Sequence, residues 1–254
     1  ILALAPGAST RIGFNWEHRW RGIAYTTVVD AAYGTMHMVD YDRSALVPLG
    51  VPPVATRPFL RTGTQDESEA ARVLNETALR GRLWIMIHAG ARYWFKSWSE
   101  DRFATMIDRL GARGLPSALV GGPGDREKAE RISGLCEHPP VNLTGRTSLM
   151  GLAALMKHCT LFLGNDAGPM HMAAAVGAPV VSLFGPSDPR VWGPRGHQVE
   201  VLYKGLDCRR CFHPTCTRGA KSCMNLISVD EVLDATERFL SPNPQPSNLQ
   251  PVRS

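Results

Sequence analysis

Long apolar runs are absent from this chain. No stretch of about 18 residues escapes interruption by a charge, a glycine or a proline, so no transmembrane helix is expected. The first residues carry no basic-then-apolar leader either. Internal repeats are missing, which excludes solenoid and collagen-like architectures. Neither a G-x-x-x-x-G-K-[ST] loop nor a G-x-G-x-x-G fingerprint occurs, which disfavours P-loop and dinucleotide-binding readings. Lysine is scarce, at 5 residues against 23 arginines. Arginine suits bidentate recognition of phosphate and carboxylate, and the same bias also arises from GC-rich coding. The net charge of +5 suits an anionic substrate or an anionic membrane surface. It is too small to argue for nucleic acid, and no nucleic-acid motif accompanies it.

What remains is ordinary globular composition, with 44% hydrophobic residues in 254. At roughly 100–200 residues per domain, that length allows one large domain or two modest ones. The chain begins with Ile1 rather than Met, so a fragment or a processed product is expected.

The first third is mixed. Residues 11–14 read as a short strand, 15–22 as a loop with two tryptophans, and 24–32 as either strand or helix. Acidic residues followed by the spacing Ala70, Val73, Leu74 and Thr77 predict a helix over Asp66–Arg80. From Leu83 the pattern becomes regular. Strands are expected at 83–88, 115–120, 141–143, 160–164, 179–184 and 199–202. Helices are expected at 100–114, 125–136, 148–157, 170–176 and 229–240. This alternation implies an α/β fold with a parallel sheet, whose ligands sit beyond the carboxyl ends of the strands. Residues 241–254 are polar and proline-rich, and read as a disordered tail.

Three loops follow strands and precede helices: His88-Ala89-Gly90-Ala91, Gly121-Gly122-Pro123-Gly124-Asp125 and Gly164-Asn165-Asp166-Ala167-Gly168. Small residues there let backbone N–H groups reach an anion at a helix N-terminus. One such loop is ordinary turn geometry. Three on one sheet edge suggest a nucleotide diphosphate.

The run from Gly164 through His171 to Ala175, followed by Phe184-Gly185-Pro186-Ser187-Asp188-Pro189, resembles the signature of the family 9 glycosyltransferases. These are bacterial heptosyltransferases that build the lipopolysaccharide inner core from ADP-heptose. The similarity extends through His88–Ala91, Lys96-Ser97-Trp98, Gly121–Gly124 and Leu143–Leu149. It is strong over residues 83–240, whereas 1–60 resemble only the end of an N-terminal domain, through Arg11-Ile12-Gly13-Phe14 and Tyr25-Thr26.

The resemblance implies a GT-B architecture, two Rossmann-like domains facing a cleft. On that basis residues 1–65 are expected to be an incomplete N-terminal acceptor domain, 66–82 a linking helix and 83–240 the C-terminal nucleotide-sugar-binding domain. It further implies an inverting transfer that needs no cofactor or metal. The partners would be an ADP-heptose-like donor and a lipopolysaccharide acceptor. The location would be cytoplasmic, peripheral on the inner face of the inner membrane.

Residue by residue, Lys96 matches a phosphate-contacting lysine and Asp166 the aspartate on the donor sugar. A cap for the helix from Met170 is the plainer reading of Asp166, and the two roles can coexist. Ala167 replaces the usual Ser or Thr, leaving a backbone N–H for phosphate beside Gly168. His171 is read either as a phosphate donor or as a buried orienting group. Gly90, Gly121 and Gly122 would line the donor, while Asp125 and Thr147 fall near the adenosine or act as helix caps. The family's general base is an aspartate early in the N-terminal domain. No position here matches it, and Glu17 and Asp30 have nothing that ties them to that role. The chain is therefore expected to lack about the first third of the enzyme, and to bind a nucleotide diphosphate while transferring sugar hardly at all. A binding module without activity and a GT-B epimerase remain the alternatives.

Cys208, Cys211, Cys216 and Cys223 form C-x2-C-x4-C-x6-C. Such a set is open to a structural zinc, to a disulfide or to free thiols. Arg209, Arg210, Arg218 and Lys221 surround it.

Overall fold

The computed structural model describes residues 7–52, 57–208, 211 and 216–240. The tail expected at 241–254 and the side chains of Arg209 and Arg210 lie outside the described residues. Contacts divide the chain into two units, one of residues 1–56 and 188–193, the other of 57–187 and 194–254.

The first unit is small. Strand β1 (Ile12–Phe14) pairs in parallel with β2 (Thr27–Val29), so the ambiguous stretch 24–32 is a strand at its centre. Helix α1 (Met38–Ser44) brings Tyr41 onto Phe14, with ring centroids 4.1 Å apart. Val29, Ala31 and Tyr41 form the buried nucleus.

The second unit carries the regular pattern. It opens with helix α2 (Thr64–Asn75), started by the Asp66 carboxylate accepting from the Gly63 N–H. Its sheet is built from β3 (Ile85–His88), β4 (Ser117–Leu119), β5 (Val141–Asn142), β6 (Leu161–Asn165), β7 (Val180–Phe184) and β8 (Val199–Tyr203). The helices between are α3 (Glu100–Gly111), α4 (Arg126–Leu135), α5 (Leu149–Met156) and α6 (Gly168–Ala175). Helix α7 (Pro189–Trp192) belongs to the first unit, and α8 (Val229–Leu240) ends the second.

All five pairings in this sheet are parallel, in the order β5-β4-β3-β6-β7-β8. Both faces are buried, because successive side chains of a strand point to opposite sides. Met86, Ala118, Phe162 and Val180 meet α2, α5 and α6 on one face. Ile87, Leu119, Leu163 and Val181 meet α3, α4 and α8 on the other. Helix α3 shows how the sequence selects this. Phe103, Met106, Ile107 and Leu110 recur at helical spacing and are buried, while Glu100 and Asp101 stand at its positive N-terminus.

Helix α2, read from the sequence as a link between domains, is part of the second unit. Ala70 and Val73 enter its core. The Glu69 carboxylate accepts from the Ser148 N–H and hydroxyl at 2.8 and 2.6 Å, and Ser148 in turn caps α5 at Gly151 N.

Candidate functional site

The strand order reverses between β3 and β6, since the chain runs outward through β4 and β5 and then returns to the other side of β3. Such a reversal opens a crevice at the carboxyl ends of the two strands. His88 ends β3 and pairs in register with Gly164 of β6, so the first and third small-residue loops start side by side. The second loop follows β4, which pairs with β3 on its other side. Gly145 N–H donates to the Gly121 carbonyl at 2.9 Å, which brings the 143–148 turn, with Thr147, beside that loop.

Asn165 organises this edge. Fully buried at the end of β6, it accepts from the Trp98 N–H at 3.0 Å and donates to the carbonyls of Ala89 and Gly90 at 3.0 and 3.3 Å. It thereby holds both ends of the 89–98 loop. Sequence reasoning passed over it because a strand-terminal Asn looks like a turn residue; its place in an otherwise apolar strand was the available signal.

With the loop so held, Lys96 Nζ donates to Asp166 Oδ2 at 2.6 Å. Asp166 is 8% exposed, so Lys96 is a buried carboxylate's counterion rather than a solvated loop lysine. Nor does Asp166 cap α6. The capping position is Ala167, whose methyl offers no acceptor, and the Ala167 carbonyl receives the Met170 N–H at 3.2 Å. In the first turn of α6 Pro169 has no N–H and Met170 donates to Ala167, so the Gly168 N–H is the one that lacks a side-chain cap and is suited to an external anion. His171 is exposed on the first turn of α6, so the reading of it as a buried orienting group does not hold.

Asp125 plugs the space between the first two loops. Its Oδ2 accepts from the Gly122 N–H at 2.9 Å. A Cβ on Gly90 would stand 2.5 Å from its Oδ1, and one on Gly121 2.5 Å from its Oδ2. A methyl group at either position would displace the Asp125 carboxylate from its place against the Gly122 N–H. His88 Nε2 lies 3.9 Å from Asp125 Oδ2, while its Nδ1 is buried without a partner. Burial pushes the His88 pKa below that of free imidazole, against the pull of Asp125 and with the help of the Lys128 charge.

The four clustered cysteines line one cavity of about 470 Å³ with Trp94 and Phe95, next to Lys96 in the chain. All six cysteines are free. The donor set has the chemistry of a soft-metal site. Its geometry does not, because among the described residues no three of His, Cys, Asp and Glu are gathered to hold an ion. A structural zinc is one of the three readings the spacing leaves open, with a disulfide and free thiols.

The chain matches the model of glycosyltransferase family 9 (heptosyltransferase) over residues 1–221. It is 32% identical over 252 residues to lipopolysaccharide heptosyltransferase 3 of Escherichia coli K12, a match that covers 97% of this chain and 72% of that protein. Among solved structures it is similar to the family 9 glycosyl transferase from Veillonella parvula, with a TM-score of 0.81 and 27% identity over 92% of this chain and 67% of the other. The E. coli ADP-heptose lps heptosyltransferase II shares the fold, with a TM-score of 0.73 and 23% identity over 94% and 72% of the two chains. Fold and sequence therefore agree that this chain belongs to glycosyltransferase family 9 (heptosyltransferase), transferases built on the α/β GT-B fold.

Proposed function

We propose that this chain binds an ADP-activated heptose at the crevice between β3 and β6 and serves its transfer to a lipopolysaccharide inner-core acceptor, with inversion and without a metal. The observation that carries the reading is the Lys96–Asp166 pair, set among three glycine-bearing loops at the point where the sheet reverses. Support for the sugar and the acceptor comes from the relatives, which are named for heptosyl transfer to lipopolysaccharide.

In the proposed step an acceptor hydroxyl oxygen bonds to the anomeric carbon from the face opposite the diphosphate. The bond from that carbon to the phosphate oxygen breaks, its electron pair leaves with ADP, and the hydroxyl proton passes to a general base. Negative charge grows on the diphosphate. The Lys96 ammonium and the uncapped Gly168 N–H of α6 are fixed in advance to receive it, the arrangement in which electrostatic stabilisation is largest. Asp166 faces the sugar hydroxyls. A site on the cytoplasmic side, where nucleotide sugars are available, belongs to this reading. Among the described residues no helix is long and apolar enough to cross a membrane.

The test is titration calorimetry with ADP and ADP-heptose, followed by assay of ADP release with and without a heptose-accepting core oligosaccharide. Binding of both ligands is expected, with ADP release that depends on the acceptor and is slow, because no residue of this chain is matched to the general base. Turnover of the donor without acceptor would indicate an epimerase or hydrolase instead.

A further inference from the structure

Lys96 is not the cation at this edge with charge to spare, because its ammonium already rests on Asp166 at 2.6 Å. Lys128 is in a different state. It stands in the first turn of α4, directly after the Gly121–Asp125 loop, and is half-buried. Its Nζ donates to Ser97 Oγ at 2.9 Å and to the Ala89 carbonyl at 3.4 Å, two neutral oxygens at opposite ends of the loop that carries Gly90 and Lys96. Among the described residues no carboxylate oxygen lies within ion-pair distance of it. Glu100 feels its charge but is held in a two-pronged pair by Arg131, at 2.9 Å on each side. Asp125 turns an oxygen to the Gly122 N–H. The imidazole of His88, kept neutral by its burial, supplies no counter-charge.

A half-buried ammonium on neutral oxygens alone has given up hydration without gaining an anion. The geometry points to Lys128 as the second cation for the donor diphosphate, which it reaches by exchanging the Ser97 hydroxyl for a phosphate oxygen. Lys96, shared with Asp166, then orients the sugar end of the diphosphate. Lys128 adds to the charge that Lys96 shares with Asp166. This assignment rests on the reading that a nucleoside diphosphate binds between the first two loops and α6.

The whole chain, as wild type, Lys128→Met and Lys128→Arg, is titrated with ADP at low and high salt. The methionine variant keeps the apolar stem and loses only the charge. Its ADP affinity is expected to fall about ten- to a hundredfold, with a weaker salt dependence than wild type because one charge contact is gone. Lys128→Arg should stay within about threefold. Unchanged ADP affinity in Lys128→Met, or a loss with the salt dependence intact, would make Lys128 a loop strut and overturn the proposal. A wild-type protein that binds no ADP would overturn the underlying site reading and this assignment with it. Should Lys128→Met fail to fold, amine acetylation of the wild-type protein, read by mass spectrometry, decides. ADP should shield Lys128 while adenosine does not; equal labelling with and without ADP would sink the assignment.

Discussion

Lys96 and Asp166 lie 70 residues apart in the chain, and their side chains meet at 2.6 Å across the ends of β3 and β6. The pair makes the two halves of the proposed donor site depend on one another. Asp166→Asn replaces the charged acceptor proposed for the sugar hydroxyls by a single amide oxygen and frees the charge of Lys96. ADP affinity should therefore hold or rise, while ADP-heptose affinity falls tenfold or more. Lys96→Ala strands a buried carboxylate, which should cost about 1–3 kcal/mol of stability and weaken both ligands. The double variant should recover part of that stability, because the residues share one interaction. Thermal melting and calorimetric titration of the three variants check this; strictly additive losses would show that the two side chains are independent.

Gly90 and Gly121 each face the Asp125 carboxylate at a distance that leaves no room for a methyl group. Gly90→Ala and Gly121→Ala should each destabilise by about 1–3 kcal/mol, the usual cost of overpacking. Removing the obstacle should relieve the strain. The Asp125 Cβ would itself stand 2.8 Å from the new methyl, so the partner change is Asp125→Gly, and Gly121→Ala combined with it is expected to cost less than the sum of the two single losses, as read by denaturant unfolding.

Acid should destabilise the fold in two stages. Burial lowers the His88 pKa in the folded state, so below about pH 6.5 the unfolded chain takes up a proton that the folded chain refuses. That contribution is complete above the unfolded pKa and is lost as pH falls, at about 1.4 kcal/mol per pH unit within the window. The second stage begins near the ordinary carboxylate pKa of 4.5. Hydrogen bonds from Lys157 to Glu67, from Ser148 to Glu69 and from Arg131 to Glu100 hold these carboxylates below that value, and protonation cancels them. Melting temperatures followed from pH 8 to about 2 should show both stages, and His88→Gln should remove only the first.

The thiols should differ in reactivity, since the thiolate is the nucleophile. Cys208 is exposed and should be alkylated first. Cys223, pushed up by burial, should follow more slowly. Burial raises Cys136 to about 11 and Cys159 to about 12, so these two should react last or only on unfolding. Mass spectrometry of timed iodoacetamide labelling reads the order. Simultaneous protection of Cys208, Cys211, Cys216 and Cys223, lifted by a chelator, would instead establish a metal at the cluster.

Much of the second unit could be read along the chain. The strands ending at His88 and Asn165 are short runs of Ile, Leu and Phe flanked by glycine loops, and α3 repeats its apolar residues at helical spacing. These are local patterns, and a buried parallel sheet follows from their alternation. The first unit was less legible because β1 and β2 are three residues each, too short for a period to declare itself.

At the site, sequence alone determined which loops and which residue types stand at the sheet edge, since Gly, Asp and Lys are placed there by the strand–loop–helix order. Tertiary structure decided who meets whom. Asp166 became a partner of Lys96 and not a helix cap, because β3 and β6 are neighbours and the chain bends one residue later, at Ala167. Asn165 became the clasp of the 89–98 loop, and α2 joined the second unit through Glu69 and Ser148. Lys128 was left on neutral oxygens because α4 aims its first turn under a loop that begins 39 residues earlier. Periodicity encodes which face of an element is buried. The pairing of charges across elements depends on sheet order and on the angle at which a helix leaves its loop, and those are settled only when the layers pack.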